Sequence, residues 1–193
     1  MNVLTGFKFI GEKIKSFEEN NNEKTYLFGY EESYGYLVGT HARDKDGVVA
    51  SVLISEMAAY YYSKGMSLYE GLMSLYEKYG FFKEKTISIT LKGIEGLAKI
   101  KDIISYFREN EVSSMGDFKV IDMKDYSKGV DGLPKADVLK FFLEDGSWVA
   151  IRPSGTEPKL KFYIAVKGKE ESECDEKVAG IKSSISEVLN TLM

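Results

Sequence analysis

The residues with chemistry to offer gather in two short stretches. Residues 151–163 read IRPSGTEPKLKFY, placing a cation at Arg152, hydroxyls at Ser154 and Thr156 and a glycine at Gly155 between two apolar runs. A guanidinium gives a two-pronged hydrogen bond to phosphate oxygens, hydroxyls add donors, and a glycine at positive φ lets backbone amides turn inward as anion-binding nests require. Pro153 and Pro158 have no amide to give but fix φ on both sides of the turn. The same residues also suit a plain hairpin connection, and spacing alone leaves both readings open. The second stretch, residues 28–39, reads FGYEESYGYLVG and sets Glu31, Glu32 and Ser33 among Tyr30, Tyr34 and Tyr36. Carboxylates beside a hydroxyl can accept and share the protons of sugar hydroxyls, although adjacent loop glutamates are also commonly just solvated.

The elements that must position these groups can be read from periodicity. Residues 3–14 predict a short loop carrying Lys8 and then one or two helical turns, an abrupt opening that suggests a piece of a longer chain. The Asn-rich run 16–25 reads as a surface turn into a short strand at 26–29, which leaves Glu31 at a strand end, where open α/β sheets place ligand groups. Asp46 is the expected N-cap of a helix over 48–63. That helix is apolar around most of its circumference and is expected to be buried against a sheet and other helices, ending at Gly65. Ser67 with Glu70 is a capping-box pattern for a second helix, and 81–85 reads as a hinge. From Thr86 the order is strand, helix, several strands, helix, an α+β layer. Leu97, Ile100, Ile104 and Phe107 mark one helix, and Cys174, Val178, Ile181, Ile185 and Val188 form the stripe of the last, with Cys174 a buried apolar group. Asp145-Gly146 signals a hairpin that feeds into Arg152.

Composition narrows the function. A chain of 193 residues with formal charge −4 lacks the dense basic face of a general nucleic-acid binder. One cysteine rules out an intrachain disulfide, and no apolar run is long enough for a membrane span, so a reducing cytoplasm is the simplest home. Asp44 and Asp46 invite a metal reading, but the remaining ligands of a calcium loop are missing. The lone histidine, His41, builds no metal site, and it reads as a solvated loop residue beside the sugar stretch.

RPSGTEPKLKFY resembles the phosphate-binding loop in the last domain of the α-D-phosphohexomutases, the phosphoglucomutase and phosphomannomutase family. FGYEESYGYLVG is similar to that family's sugar-recognition loop and TGFKFIGEKI, residues 5–14, to the segment before it; HARDKDGV and LYEKYG extend the likeness. The wording is closest to the phosphoglucomutase and phosphopentomutase branch. The resemblance implies an α/β plus α+β chain, with a partial third α/β domain over residues 1–83. A fourth α+β domain, an antiparallel sheet with helices on one face, would fill 84–193. It implies that Glu31 and Ser33 face the sugar, that Lys8 adds a cation, and that Arg152, Ser154, Gly155 and Thr156 hold the non-reacting phosphate. Glu32 takes no assigned role, and Lys161 is either a third cation or a solvated strand residue. The family's phosphoserine and Mg2+ ligands belong to earlier domains, so no catalytic or metal-binding residue is expected in this chain. A phosphosugar, a hexose 1,6-bisphosphate and the N-terminal domains of the same polypeptide are the implied partners, with no nucleic acid or membrane. The E-E-S wording favours glucose phosphate, with a phosphopentose next. A stand-alone phosphosugar-binding or regulatory module, and a structural protein with look-alike loops, are the alternatives; the upstream reading frame separates them.

Overall fold

Periodicity becomes five α-helices and eight β-strands in a computed structural model that describes residues 3–20, 24–155 and 157–192. The chain divides into two units, Met1–Ser74 and Leu75–Met193. Among the described residues, no helix is long and apolar enough to cross a membrane.

Unit 1 begins with α1 (Phe7–Glu19), a full 13 residues where one or two turns were expected. It buries Phe7 and Ile14 with Leu37 in a small core, to which Ile10, Tyr26 and Ala42 are joined. Strands β1 (Phe28–Glu31) and β2 (Gly35–Val38) form an antiparallel hairpin in which Glu31 faces Gly35 and Tyr30 faces Tyr36. Strand alternation puts Gly29, Glu31, Gly35 and Leu37 on the inner face and Phe28, Tyr30 and Tyr36 outside. Helix α2 (Gly47–Tyr62) starts where expected: the Asp46 carboxylate accepts the Val48 and Val49 amides at 2.8 and 3.1 Å. Helix α3 (Leu68–Tyr79), which runs across the division between units, opens on the expected capping box. Ser67 Oγ accepts the Glu70 amide at 3.2 Å, and the Glu70 carboxylate accepts the Ser67 amide at 2.6 Å.

The expected burial of α2 is not met. None of its residues is buried, and Val48 and Tyr62 are 77% and 84% exposed. A helix apolar all round is built to be covered on all sides, and among the described residues the cover that unit 1 gives α2, from β2 and from α3 at Gly71, leaves none of its residues buried.

Unit 2 is a six-stranded antiparallel sheet in the order β3-β8-β7-β6-β5-β4. Its strands are β3 (Phe81–Thr90), β4 (Ser114–Met115), β5 (Phe118–Asp125), β6 (Leu139–Leu143), β7 (Trp148–Pro153) and β8 (Lys159–Gly168). Helices α4 (Gly93–Glu109) and α5 (Glu171–Leu192) pack on one face. That face supplies Leu139, Phe141, Val149, Ile151, Leu160, Phe162 and Ile164; the helices answer with Ile100, Ile104, Phe107, Cys174, Ile181 and Ile185. Leu97 is 49% exposed and falls outside the stripe. Neither α4 nor α5 covers the opposite face, which carries Lys124, Lys140, Phe142, Trp148, Arg152, Lys161 and Tyr163 by strand alternation. The expected hinge at 81–85 is the first half of β3, which pairs with β8 along its whole length. Gly96 is obligatory, because a Cβ there would lie 2.0 Å from the Leu91 carbonyl oxygen.

Two polar ties brace this sheet. In the β6–β7 turn, Gly146 takes φ 86° and Asp145 accepts the Ser147 amide at 3.0 Å while pairing with Lys177 of α5 at 2.9 Å. Burial pushes the Asp145 carboxyl up, but Lys177 and the Ser147 donors outweigh it and hold it below the ordinary value. At the far side, Asp125 is 5% exposed and faces Arg108 Nε at 3.2 Å, an ion pair outside hydrogen-bond geometry. Arg108 also pairs with Asp137.

Candidate functional site

Glu31 ends β1, and its side chain is 12% exposed, with the Lys45 ammonium 4.0 Å away. Gly35 makes room for the pair: a Cβ there would fall 2.3 Å from Lys45 Cδ and 3.1 Å from Glu31 Oε2. Lys45 Nζ also lies 5.6 Å from the Phe7 ring centroid and 2.8 Å from Asp44. Asp44 holds the Lys45 amine above its ordinary value against the opposing effect of burial, and Glu31 adds the smallest push in the same direction. Sequence reasoning passed over Lys45; the signal it carried was the D-K-D spacing just after the sugar stretch.

Residues 32–34 turn the hairpin, and Tyr34 takes φ 64°, an uncommon conformation for a residue with a Cβ. Ser33 and Glu32 are exposed at the tip. Outside the hairpin the rings of Tyr30 and Tyr36 stack on Phe28 at 5.8 and 6.2 Å, leaving an exposed aromatic face. Lys8 is exposed at the start of α1, its ammonium 5.0 Å from the Phe9 ring; among the described residues no ion pair or hydrogen bond joins it to Glu31 or Ser33. His41 Nε2 lies 2.9 Å from the Asp46 carboxylate, and Arg43 grips Glu18 with two bonds of 2.7 Å. Magnesium does not fit the carboxylates here. Asp46 is spent on its helix cap and His41, Asp44 on Lys45, and among the described residues no group of three possible ligands forms.

In unit 2, Arg152 stands on β7 at the head of the β7–β8 connection, on the face away from α4 and α5. Its Nη1 lies 3.5 Å from the Tyr163 hydroxyl, so the guanidinium leans along the sheet. Lys161 is its direct cross-strand partner. Among the described residues no carboxylate comes within ion-pair distance of either cation, whereas Lys159 at the start of β8 is paired with Glu157. The turn itself is closed by its backbone: the Ser154 amide donates to the Lys159 carbonyl at 2.7 Å, and the Lys159 amide to the Glu157 carbonyl at 2.7 Å. The Ser154 amide is therefore committed to the hairpin. Gly155 is exposed, has open space where a Cβ would stand, and lies outside the positive-φ range that a nest built on it requires. Thr156 lies outside the described residues. Lys159, and more weakly Lys161, hold the Glu157 carboxyl below its ordinary value.

Comparison with known proteins decides the family. Residues 1–79 match the model of phosphoglucomutase/phosphomannomutase α/β/α domain III, and residues 92–181 that of the phosphoglucomutase/phosphomannomutase C-terminal domain. The chain belongs to the phosphoglucomutase/phosphomannomutase family. In this family's terms, the Glu31 hairpin lies in domain III and the Arg152 turn in the C-terminal domain. The chain is 37% identical over 175 residues to a phosphoglucomutase of Staphylococcus epidermidis, covering 85% of this chain and 31% of that protein. A phosphoglucomutase of Staphylococcus aureus is 36% identical over 177 residues, again across 31% of its length. The chain thus spans about a third of these phosphoglucomutases. Among solved structures, the open form of pp63/parafusin, a phosphoglucomutase from Paramecium, shares the fold with a TM-score of 0.64 at 21% identity. It covers 97% of this chain and 32% of that one.

Proposed function

We propose that the chain supplies the gripping half of a phosphoglucomutase-type intramolecular phosphotransferase. Glu31 and Ser33 take the sugar hydroxyls, with Lys8 and Lys45 adding charge beside them; Arg152, Ser154, Gly155 and Thr156 take the phosphate that is not reacting. The observation that carries this reading is the cation pair Arg152 and Lys161, set directly opposite each other with neither in an ion pair among the described residues, Glu157 acting on Lys161 only from farther away. Like charges directly opposite on a sheet destabilise it, and a phosphate across them removes the cost. Phosphoryl transfer is largely positioning and charge stabilisation, so a ligand that reacts at either end needs one phosphate held while the other reacts. The sugar clamp falls within residues 1–83 and the phosphate clamp within 84–193.

Binding substrate and transition state equally does not lower the chemical barrier, so the gripping half alone is inactive. The phosphoryl donor, Mg2+ site and hexose 1,6-bisphosphate handling belong, in this reading, to earlier domains of the same polypeptide, working in the cytoplasm on a glucose or pentose phosphate. The bare apolar surface of α2 supports a covering layer from that source. The test is a coupled assay from glucose 1-phosphate to glucose 6-phosphate with magnesium and a bisphosphate primer, run on this chain and on the full reading frame, with an apolar-surface dye alongside. Turnover confined to the longer protein, with dye binding lost there, is the expected result. Turnover by the 193-residue chain at comparable rates contradicts the division of labour. Inactivity of both favours a stand-alone phosphosugar-binding module.

A further inference from the structure

A second like-charge pair crosses the same sheet face: Lys124 of β5 stands directly opposite Lys140 of β6. The two are not equally compensated. Lys124 is neutralised by both oxygens of Asp131, at 2.8 and 3.0 Å. Lys140 makes no ion pair and no hydrogen bond among the described residues; its ammonium rests 4.0 Å from the Trp148 ring centroid and 5.2 Å from that of Phe142. Lys124 Nζ reaches the Phe142 ring as well, at 5.8 Å. Two rings therefore hold a half-buried cation in one place, facing a second cation, without an ion-pair partner of its own among the described residues. Burial first, and Lys124 second, push the Lys140 amine below its ordinary value, the signature of a charge the local structure leaves uncompensated. Asp131 pairs with Lys124, and Asp122, the cross-strand partner of Phe142, acts on Lys124 from farther away; of the two lysines, Lys140 is the one without an ion pair among the described residues.

We propose that Lys140 and Lys124, on the aromatic floor of Trp148 and Phe142, form a second oxyanion subsite that takes a phosphate or carboxylate group of a small ligand. The site adjoins the Arg152 turn, because Lys140 pairs with Ala150, two positions before Arg152 on the same face, and the variants below separate the two readings. Pinning the ammonium on the rings lowers the ordering cost of binding, and an anion at Lys140 meets a cation that no carboxylate already pairs, with Lys124 adding long-range attraction.

Trp148 is the chain's single tryptophan, so its indole N–H is an unambiguous reporter of this place. Inorganic phosphate and acetate are titrated separately into the labelled 193-residue chain against chloride at equal ionic strength. The indole resonance and the Ser154 and Gly155 amides are followed together. The expected result is a saturable indole shift with phosphate, acetate or both, absent with chloride. It should weaken at least about tenfold in Lys140→Met and Lys140→Gln and persist in Arg152→Ala. No indole shift beyond the chloride control overturns the proposal. So does a shift that survives both Lys140 variants, or one that vanishes in Arg152→Ala with Lys140 intact. Loss of the Ser154 and Gly155 response alone bears on the Arg152 turn and leaves the indole result to decide this site.

Discussion

Truncating Phe107 to alanine should cost unit 2 about 3–5 kcal/mol, enough to unfold a domain of ordinary stability at moderate denaturant. Phe107 is 1% exposed and sits where α4 meets the sheet, edge-on to Phe141 at 6.2 Å and Phe162 at 5.9 Å. Removing it leaves a cavity lined by rings and β-branched side chains that cannot close without moving the sheet. Urea denaturation followed by Trp148 fluorescence reads the loss, with Ile94→Ala, at an 87% exposed site, expected within about 0.5 kcal/mol of the parent. A cost for Phe107→Ala no larger than that control would remove the packing account of unit 2.

The second large effect is electrostatic. Asp125→Ala leaves Arg108 without its inner carboxylate and takes the acceptor from the Ser127 amide, bonded at 3.1 Å. Breaking a buried pair typically costs about 3–5 kcal/mol, and the lower end applies here because Arg108 keeps Asp137 and some solvent. Burial pushes the Asp125 carboxyl up, but the Ser127 donors, Arg108 and Lys128 prevail and hold it below its ordinary value. A folded-state carboxyl below its unfolded value stabilises fully above the unfolded value, and that stability disappears as pH falls through the folded one. Unit 2 should therefore lose stability as the solution is acidified below about pH 4, and Asp125→Asn should flatten that dependence. Asp145, held low by Lys177, adds to the slope and should keep part of it in the variant. An unchanged acid profile in Asp125→Asn would contradict this assignment.

Much of unit 2 was legible because its signals are local. Ile100, Ile104 and Phe107 on α4, and Cys174, Ile181 and Ile185 on α5, are buried as their spacing requires, and Asp145-Gly146 makes the expected turn. Cys174 is fully buried, with burial chiefly raising its thiol, as befits an apolar group. The caps at Asp46 and Ser67 were readable for the same reason: each joins residues within three positions of one another. Residues 81–85 misled because Lys83, Glu84 and Lys85 look like a solvated connection; an edge strand carries such charges naturally, and Lys83 pairs with Asp175 at 2.7 Å. Burial of α2 was unreadable in principle, since an apolar circumference states what a helix needs and not what lies against it.

The candidate site shows the same division. A short strand leading to Glu31 followed from local pattern, although it runs over 28–31 and not 26–29 and is closed into a hairpin by the unforeseen β2; its neighbour Lys45 is brought in across that hairpin through the space left by Gly35. At the Arg152 turn, composition left an anion cradle and a plain hairpin connection both open, and the β7–β8 pairing shows the hairpin. The lean of the guanidinium toward Tyr163 and the loss of the Ser154 amide to Lys159 depend on cross-strand register, which spacing within the loop does not encode.

Titration of the 193-residue chain with glucose 6-phosphate, following the Ser154 and Gly155 amides in the parent and in Arg152→Ala, tests the phosphate grip directly. The predicted result is saturable movement of both amides in the millimolar range, because the turn works here without a closing domain to desolvate it. Arg152→Ala should weaken that response by about 1.5–3 kcal/mol, the usual worth of a hydrogen bond to a charged group. Amides that stay still at tens of millimolar ligand, or that move identically in Arg152→Ala, would contradict it.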